Sequence, residues 1–191
     1  MTEKIILGID PGTQKMGFGA IKIVNNKPSL YKTLELNLTN IKDPHRKLRE
    51  IYLKSKEQID LIQPHQIAIE APFYASNPQS LLKLGRAQGV AIAAVFSKNV
   101  TVTEYPPRKV KQSIVGRGDA SKEQIAQMLK SLLSLKSISF NYDVSDALAV
   151  ALCHFYNSNT LDLRNKSYTS WSSFIRDNPQ RLISSQEGSK Q

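Results

Sequence analysis

The run Ile5-Ile6-Leu7-Gly8-Ile9 is short, apolar and rich in β-branched residues, and it stops on a carboxylate, Asp10. Residues 4–9 therefore read as a central strand buried on both faces, which has no room for polar alternation. Gly12 and Thr13 mark a turn after it. Residues 17–24 alternate and predict a second strand, Asn25-Asn26 a tight turn, and residues 29–36 a third strand. Three strands joined in this way form an antiparallel meander.

Beyond the meander the periodicity changes. Residues 43–63 predict a helix capped by Asp43, with Pro44 at its first position and Leu48, Ile51, Tyr52, Ile59 and Ile62 on one face. Pro64 ends it, and residues 66–70 form a strand that again finishes on a carboxylate, Glu70. A helix over 79–97 follows, in which Gly85 and Gly89 are expected to allow close backbone approach. Residues 100–105 make a fifth strand, and Pro106-Pro107 opens a short basic helix. Ser121 caps a helix from 122 to about 134, and Asp143 to Tyr156 is the last helix. The order βββ-α-β-α-β-α-α predicts an α/β domain with a mixed five-stranded sheet and helices on both faces. Residues 1–156 form that domain. Residues 157–191, rich in Ser, Asn, Gln and Lys, read as a mostly disordered tail, with Trp171, Phe174 and Ile175 as a small docking segment.

Composition narrows the function. The 191 residues carry 26 Lys and Arg against 16 Asp and Glu, a net charge of +10. Such a surplus points to a polyanionic partner, nucleic acid before an anionic membrane. The N-terminus MTEKIILGID holds no signal peptide or membrane span, which implies a cytoplasmic protein with no membrane partner. A single cysteine, Cys153, rules out an internal disulfide framework and a cysteine zinc site.

The acids are then placed against the charge. Asp10 and Glu70 end apolar strands, while Asp143 and Asp146 open an apolar helix and share a face three residues apart. Taken singly, Asp10 before Pro11-Gly12 is a turn residue and Asp143 a helix cap. Taken together, on this frame and with this charge, they read as ligands of a divalent cation, because partly buried acids that met would otherwise repel each other. Two Mg²⁺ ions about 3.5–4 Å apart suit phosphodiester hydrolysis. Two other readings stand beside the nuclease. Asp10-Pro-Gly-Thr13 also looks like the first phosphate loop of actin-like ATPases, although about 155 residues leave no space for their second domain. A silent DNA-binding module is the third reading, disfavoured by four acids that would repel phosphate.

The segments ILGIDPGTQKMGFGAI, IEAPFYASNPQSLLKLGRAQGVAIAA, VKQSIVGRGDASKEQI and DVSDALAVALCH closely resemble the RuvC family of Holliday-junction resolvases, in collinear order from Lys4 to about His154. The resemblance implies a ribonuclease-H-like fold and a homodimer that cuts four-way DNA junctions with Mg²⁺ or Mn²⁺. Cleavage in that family leaves 5′-phosphate and 3′-hydroxyl ends during recombination and repair. Partnership with a RuvAB-type branch-migration complex is also implied. The family's acids fall on Asp10, Glu70, Asp143 and Asp146. Some members carry His where Asp143 stands. Lys111 and Lys122 match basic residues near the scissile phosphate, and Phe73 matches a ring implicated in holding DNA at the junction centre.

The remaining candidates come from clustering. Arg108, Lys109, Lys111, Arg117 and Lys122 crowd the stretch from Pro106 to Lys122 against Asp119 alone, which favours a phosphate-contacting stripe. Arg86 joins them as a further basic candidate, on the 79–97 helix. Phe73 and Tyr74 follow Glu70 in a loop; an exposed ring there would stack on an unpaired base. Cys153 reads as core, and the role of His154 is left open.

Overall fold

Alternate residues of the first strand go to opposite cores. The computed structural model describes residues 3–72, 77–135, 141–164 and 170–177. Its strands are β1 (Glu3–Asp10), β2 (Lys15–Val24), β3 (Lys27–Asn37), β4 (Gln66–Glu70) and β5 (Thr101–Tyr105). They form one five-stranded sheet in the order β3-β2-β1-β4-β5. The β1–β2 and β2–β3 pairings are antiparallel, and β1–β4 and β4–β5 are parallel. Asn25 and Asn26 both adopt positive φ, as a two-residue hairpin turn matching the strand twist requires.

On one face Ile5, Leu7 and Ile9 pack with Met16, Phe18, Ile67 and Ile69 against helices α1 (Pro44–Ile62) and α2 (Pro78–Val95). On the other face Ile6, Ile21, Ala68 and Tyr105 pack against α3 (Pro107–Val115), α4 (Lys122–Leu132) and α5 (Tyr142–Arg164). The expected mixed sheet with helices on both faces is what the chain forms. Period two then decides where the acids point. Asp10 shares parity with Ile6 and Gly8, and Glu70 with Ala68, so both acids belong to the α5 face.

The caps follow the sequence. Asp43 Oδ1 accepts from Arg46 N–H at 2.7 Å at the start of α1. Ser121 and Gln124 form a reciprocal capping box on α4. Asn77 caps α2, accepting from Gln79 N–H at 2.9 Å.

Three expectations are corrected. Tyr52 is exposed, because the buried stripe of α1 runs through Ile51, Ser55, Gln58, Ile59 and Ile62 instead. Gly85 and Gly89 face open space among the described residues; α2 contributes Ala87, Ala91 and Ala94 to its core. The glycines that do admit another element are Gly8, Gly17 and Gly19, where an added Cβ would strike Ala147, Asp143 and Leu148 of α5. Finally, the helix expected to stop at Tyr156 continues to Arg164, since residues 157–164 hold no Gly or Pro to end it.

Met1–Asn157 make up one compact unit and Ser158–Gln191 a second. Within the second, α6 (Trp171–Asp177) is helical where a disordered tail is expected. Its start is capped locally: Ser173 N–H donates to Ser170 Oγ at 3.2 Å, and Ser170 N–H to Ser173 Oγ at 3.3 Å.

Candidate active site

Parallel pairing brings the first two acids together. Ile9 of β1 is in register with Ile69 of β4, so Asp10 and Glu70 end neighbouring strands at the same edge. Adjacent strands lie about 4.8 Å apart, within reach for two carboxyl groups. Across the β1–β2 ladder Asp10 faces Gly17, and the first turn of α5 rests on Gly17. Asp143 in that first turn and Asp146 one turn on are thereby carried towards Asp10.

Asp10, Glu70 and Asp146 line one cavity of about 360 Å³ together with Lys111 and Lys122. Asp143 is not among its lining residues, yet its charge is felt by Asp10, Lys15 and Lys122. Lys122 Nζ donates to Asp146 Oδ2 at 2.9 Å and lies 5.5 Å from the centre of the Tyr142 ring. Lys111 Nζ donates to the Ala120 carbonyl at 2.9 Å, which ties α3 to the turn before α4.

Electrostatics mark the cavity. Burial pushes the Asp10 carboxyl well above the usual carboxylate range, and the charges of Glu70, Asp146 and Asp143 push it further. Glu70 is also raised, mainly by burial, against the lowering influence of its hydrogen bond with Asp10 and of Lys122 and Lys111. Two acids held this close titrate as a pair. For Lys122, burial opposes the charge, but the Asp146 hydrogen bond and the fields of Asp146, Asp10 and Asp143 outweigh it and raise the ammonium pKa.

The other basic candidates lie outside this cavity. Arg117 holds Asp119 through two bonds, Nε to Oδ1 at 3.1 Å and Nη2 to Oδ2 at 3.0 Å, with both side chains exposed. The stem of Arg108 packs over Gly118. Lys109 Nζ sits 5.7 Å from the centre of the Tyr105 ring. Arg86 is exposed on α2 and lines a separate cavity. Phe73 and Tyr74 lie outside the described residues.

Sequence reasoning left the role of His154 open. His154 is buried and bridges Tyr105 and Gln66: its Nδ1 is 2.9 Å from Tyr105 Oη and its Nε2 is 2.9 Å from Gln66 Oε1. With Gln66 Oε1 as acceptor, the imidazole donates from Nε2, and in its neutral form Nδ1 accepts from Tyr105 O–H. Burial, aided by the nearby Lys4 charge, lowers its pKa to about 4. Cys153 is buried as expected, and its Sγ lies 3.2 Å from Ser113 Oγ.

Comparison with known proteins fits this arrangement. Residues 6–154 match the family model described as crossover junction endodeoxyribonuclease RuvC. The chain belongs to the RuvC family. It is 52% identical to the RuvC of Christiangramia forsetii over 95% of this chain and 94% of that one. Against the RuvC of Cytophaga hutchinsonii it is 45% identical over 94% of this chain and 88% of the relative. Among solved structures, Thermus thermophilus RuvC in complex with Holliday junction substrate aligns with a TM-score of 0.76 at 28% identity, covering 82% of this chain and 96% of that one. The fold is thus ribonuclease-H-like, and the acid cavity belongs to a RuvC-family crossover junction endodeoxyribonuclease. Among the described residues no helix is long and apolar enough to cross a membrane.

Proposed function

We propose that the protein resolves four-way DNA junctions by paired, Mg²⁺-dependent phosphodiester hydrolysis, with Asp10, Glu70, Asp143 and Asp146 as metal ligands. The observation that carries this reading is the convergence of Asp10, Glu70 and Asp146 with Lys111 and Lys122 on one cavity of an otherwise cationic chain. Among the described residues no three acidic, histidine or cysteine side chains are yet drawn close enough to hold an ion. Lys122 instead occupies Asp146. The donor chemistry nonetheless fits a hard cation: all four side chains offer oxygen, and the Asp10 carboxyl is raised first by burial and then by the like charges of Glu70, Asp146 and Asp143.

Bound there, two Mg²⁺ ions, or Mn²⁺ in their place, would activate a water and stabilise the leaving 3′ oxygen. The chain's own residues do the rest. Lys111 and Lys122 neutralise the scissile phosphate, and Arg86, Arg108, Lys109 and Arg117 hold the flanking backbone. For Arg117 this requires exchanging Asp119 for phosphate, a small cost for an exposed pair. Phe73 stacks on an unpaired base at the junction centre.

A homodimer suits a junction with approximate two-fold symmetry. The exposed side of α2, with Leu82 and the two unobstructed glycines, is its candidate surface. A RuvAB-type complex is the proposed partner. Residues 1–156 are the nuclease, and residues 157–191 lie outside it. Incubating synthetic four-way junctions and linear duplex with and without Mg²⁺ tests the central reading. Paired, metal-dependent nicks in the junction alone support it; equal cutting of both substrates, or cutting without metal, overturns it.

A further inference from the structure

The loop after Asp10 has a second cavity beyond it. Pro11 lines the carboxylate cavity, whereas Thr13 and Gln14 line another of about 330 Å³ on the α1–α2 side. The ionisable side chains of this second cavity are Lys42, His45, Lys47, Lys83 and Arg86; no carboxylate lines it. Asp43 stands beside Lys42, but its carboxylate is spent capping α1. Lys42, Lys83 and Arg86 form no ion pair among the described residues, while Lys15, Lys54 and Lys98 are each paired with an acid. Lys47 has a different task. Its Nζ donates to the Thr13 carbonyl at 2.8 Å and reaches Gln14 Oε1 at 3.5 Å, fastening the loop to α1.

Two neighbouring cavities therefore differ in sign. The first concentrates carboxylates that repel phosphate; the second offers unpaired cations. Asp10 and Thr13 are three residues apart, so at most about 11 Å of backbone separates them. A DNA strand advances about 3.4 Å per nucleotide along the helix axis. One strand can thus place a phosphate in each cavity within a few nucleotides. Lys42, His45, Lys83 and Arg86 are all exposed and come from the segment before α1, from α1 and from α2. Dispersed, solvated cations of this kind follow a polyanion; a free phosphate ion calls for buried, converging donors.

We propose that the basic cavity lined by Thr13, Lys42, His45, Lys83 and Arg86 seats the DNA backbone a few nucleotides from the cleaved phosphate. This rests on the nuclease reading and extends it to residues with no part in the chemistry. It also explains how a site ringed by acids retains a negatively charged strand.

The test uses the full-length protein carrying Lys42→Ala and Lys83→Ala together, beside a control carrying Lys56→Ala and Lys130→Ala. The control removes the same charge from exposed positions that line neither cavity. Affinity for a synthetic four-way junction is measured without metal across a salt series. Losing two phosphate contacts should flatten the slope of log K against log salt by about 1.8 and weaken low-salt binding by about tenfold or more. The control should track the wild type. A slope equal to the control's overturns the proposal. If the wild type cuts junctions while the slopes coincide, the basic-cavity assignment alone fails; if it neither binds nor cuts them, the nuclease reading fails as well.

Discussion

The carbonyl of Asp143 lies directly over Gly17, so close that a methyl group on Gly17 would run into it. Gly17 is also the cross-strand partner of Asp10. One small residue thus sets how far the first turn of α5 stands from the end of β1, and with it the spacing of Asp10 from Asp143 and Asp146. Gly17→Ala should lift that turn. Overpacking of this kind costs about 1–3 kcal/mol, and a misplacement of about 1 Å at a catalytic site costs up to about 100-fold in rate. The expected outcome is a lower melting temperature and cleavage reduced at least about tenfold, with junction affinity within a few-fold of wild type. Unchanged melting and cleavage would show that α5 can rise without consequence.

Lys122 and Lys111 separate charge from stability. The Lys122–Asp146 pair is half-exposed on the lysine side, and such pairs contribute little to folding, about 0–1 kcal/mol. Lys122→Ala should melt near the wild-type temperature while cleavage falls by about tenfold or more, because a cation beside the reacting phosphate is gone. Lys111→Ala also removes the tie to the Ala120 carbonyl and should lose some stability along with its activity. Cleavage time courses over a salt series check both. Wild-type rates at every salt concentration would remove that lysine from the site.

Much of this was legible because it depends on period and punctuation. A carboxylate at the end of each apolar strand, a capping Asp43 before Pro44, and Ser121 opening α4 are local signals, and the chain obeys them. The pairing of distant elements carries no such local signal. Gly17 and Gly19 read as ordinary members of an alternating strand, yet they share parity with Ile21 and Ile23 on the face that receives α5. Asp10 and Gly8 share one parity in β1, which is the clue that a helix would lie close beside the acid. Gly85 and Gly89 carry the same kind of signal and meet nothing among the described residues, since α2 uses alanines for its buried contacts. The basic cavity was invisible for a further reason: Lys42 and Lys47 flank the start of α1 while Lys83 lies on α2, and only the tertiary fold brings the two groups together.

His154 makes folding sensitive to acid. Its pKa is about 4 in the folded chain, against about 6.5 when unfolded. Between these values the unfolded chain binds the extra proton, so stability rises with pH there and is lost as pH falls from about 6.5 towards 4. The span corresponds to a penalty on the order of 3 kcal/mol, fully developed below about pH 4 and absent above about pH 7. Denaturant melts at pH 7.5 and pH 4.5 should therefore differ more for the wild type than for His154→Gln. Parallel losses in the two proteins would mean that other groups control the acid limb.

The four acids allow binding, catalysis and stability to be read apart. Asp10→Asn, Glu70→Gln, Asp143→Asn and Asp146→Asn each preserve size while removing a charged oxygen ligand. Each variant should bind four-way junctions at least as well as wild type without metal, since a charge opposing phosphate is lost. Cleavage in Mg²⁺ should fall by orders of magnitude, because water activation and leaving-group stabilisation fail together. Asp143→Asn should be mildest, its side chain not being among those that line the cavity. Asp10→Asn carries a further signature. Because burial and neighbouring acids raise the folded Asp10 pKa, the folded chain keeps a proton that the unfolded chain releases, and stability falls as pH rises from the ordinary carboxylate range through the raised value. The penalty is complete above that value and absent below about pH 3. In chelator at neutral pH, Asp10→Asn should therefore melt higher than wild type, by about 2–4 °C for each kcal/mol relieved, and the difference should vanish in acid. A variant that melts lower at neutral pH would show that Asp10 holds the fold together rather than being held in place for a cation. Intact cleavage in Asp10→Asn or Glu70→Gln would end the assignment of these acids as metal ligands.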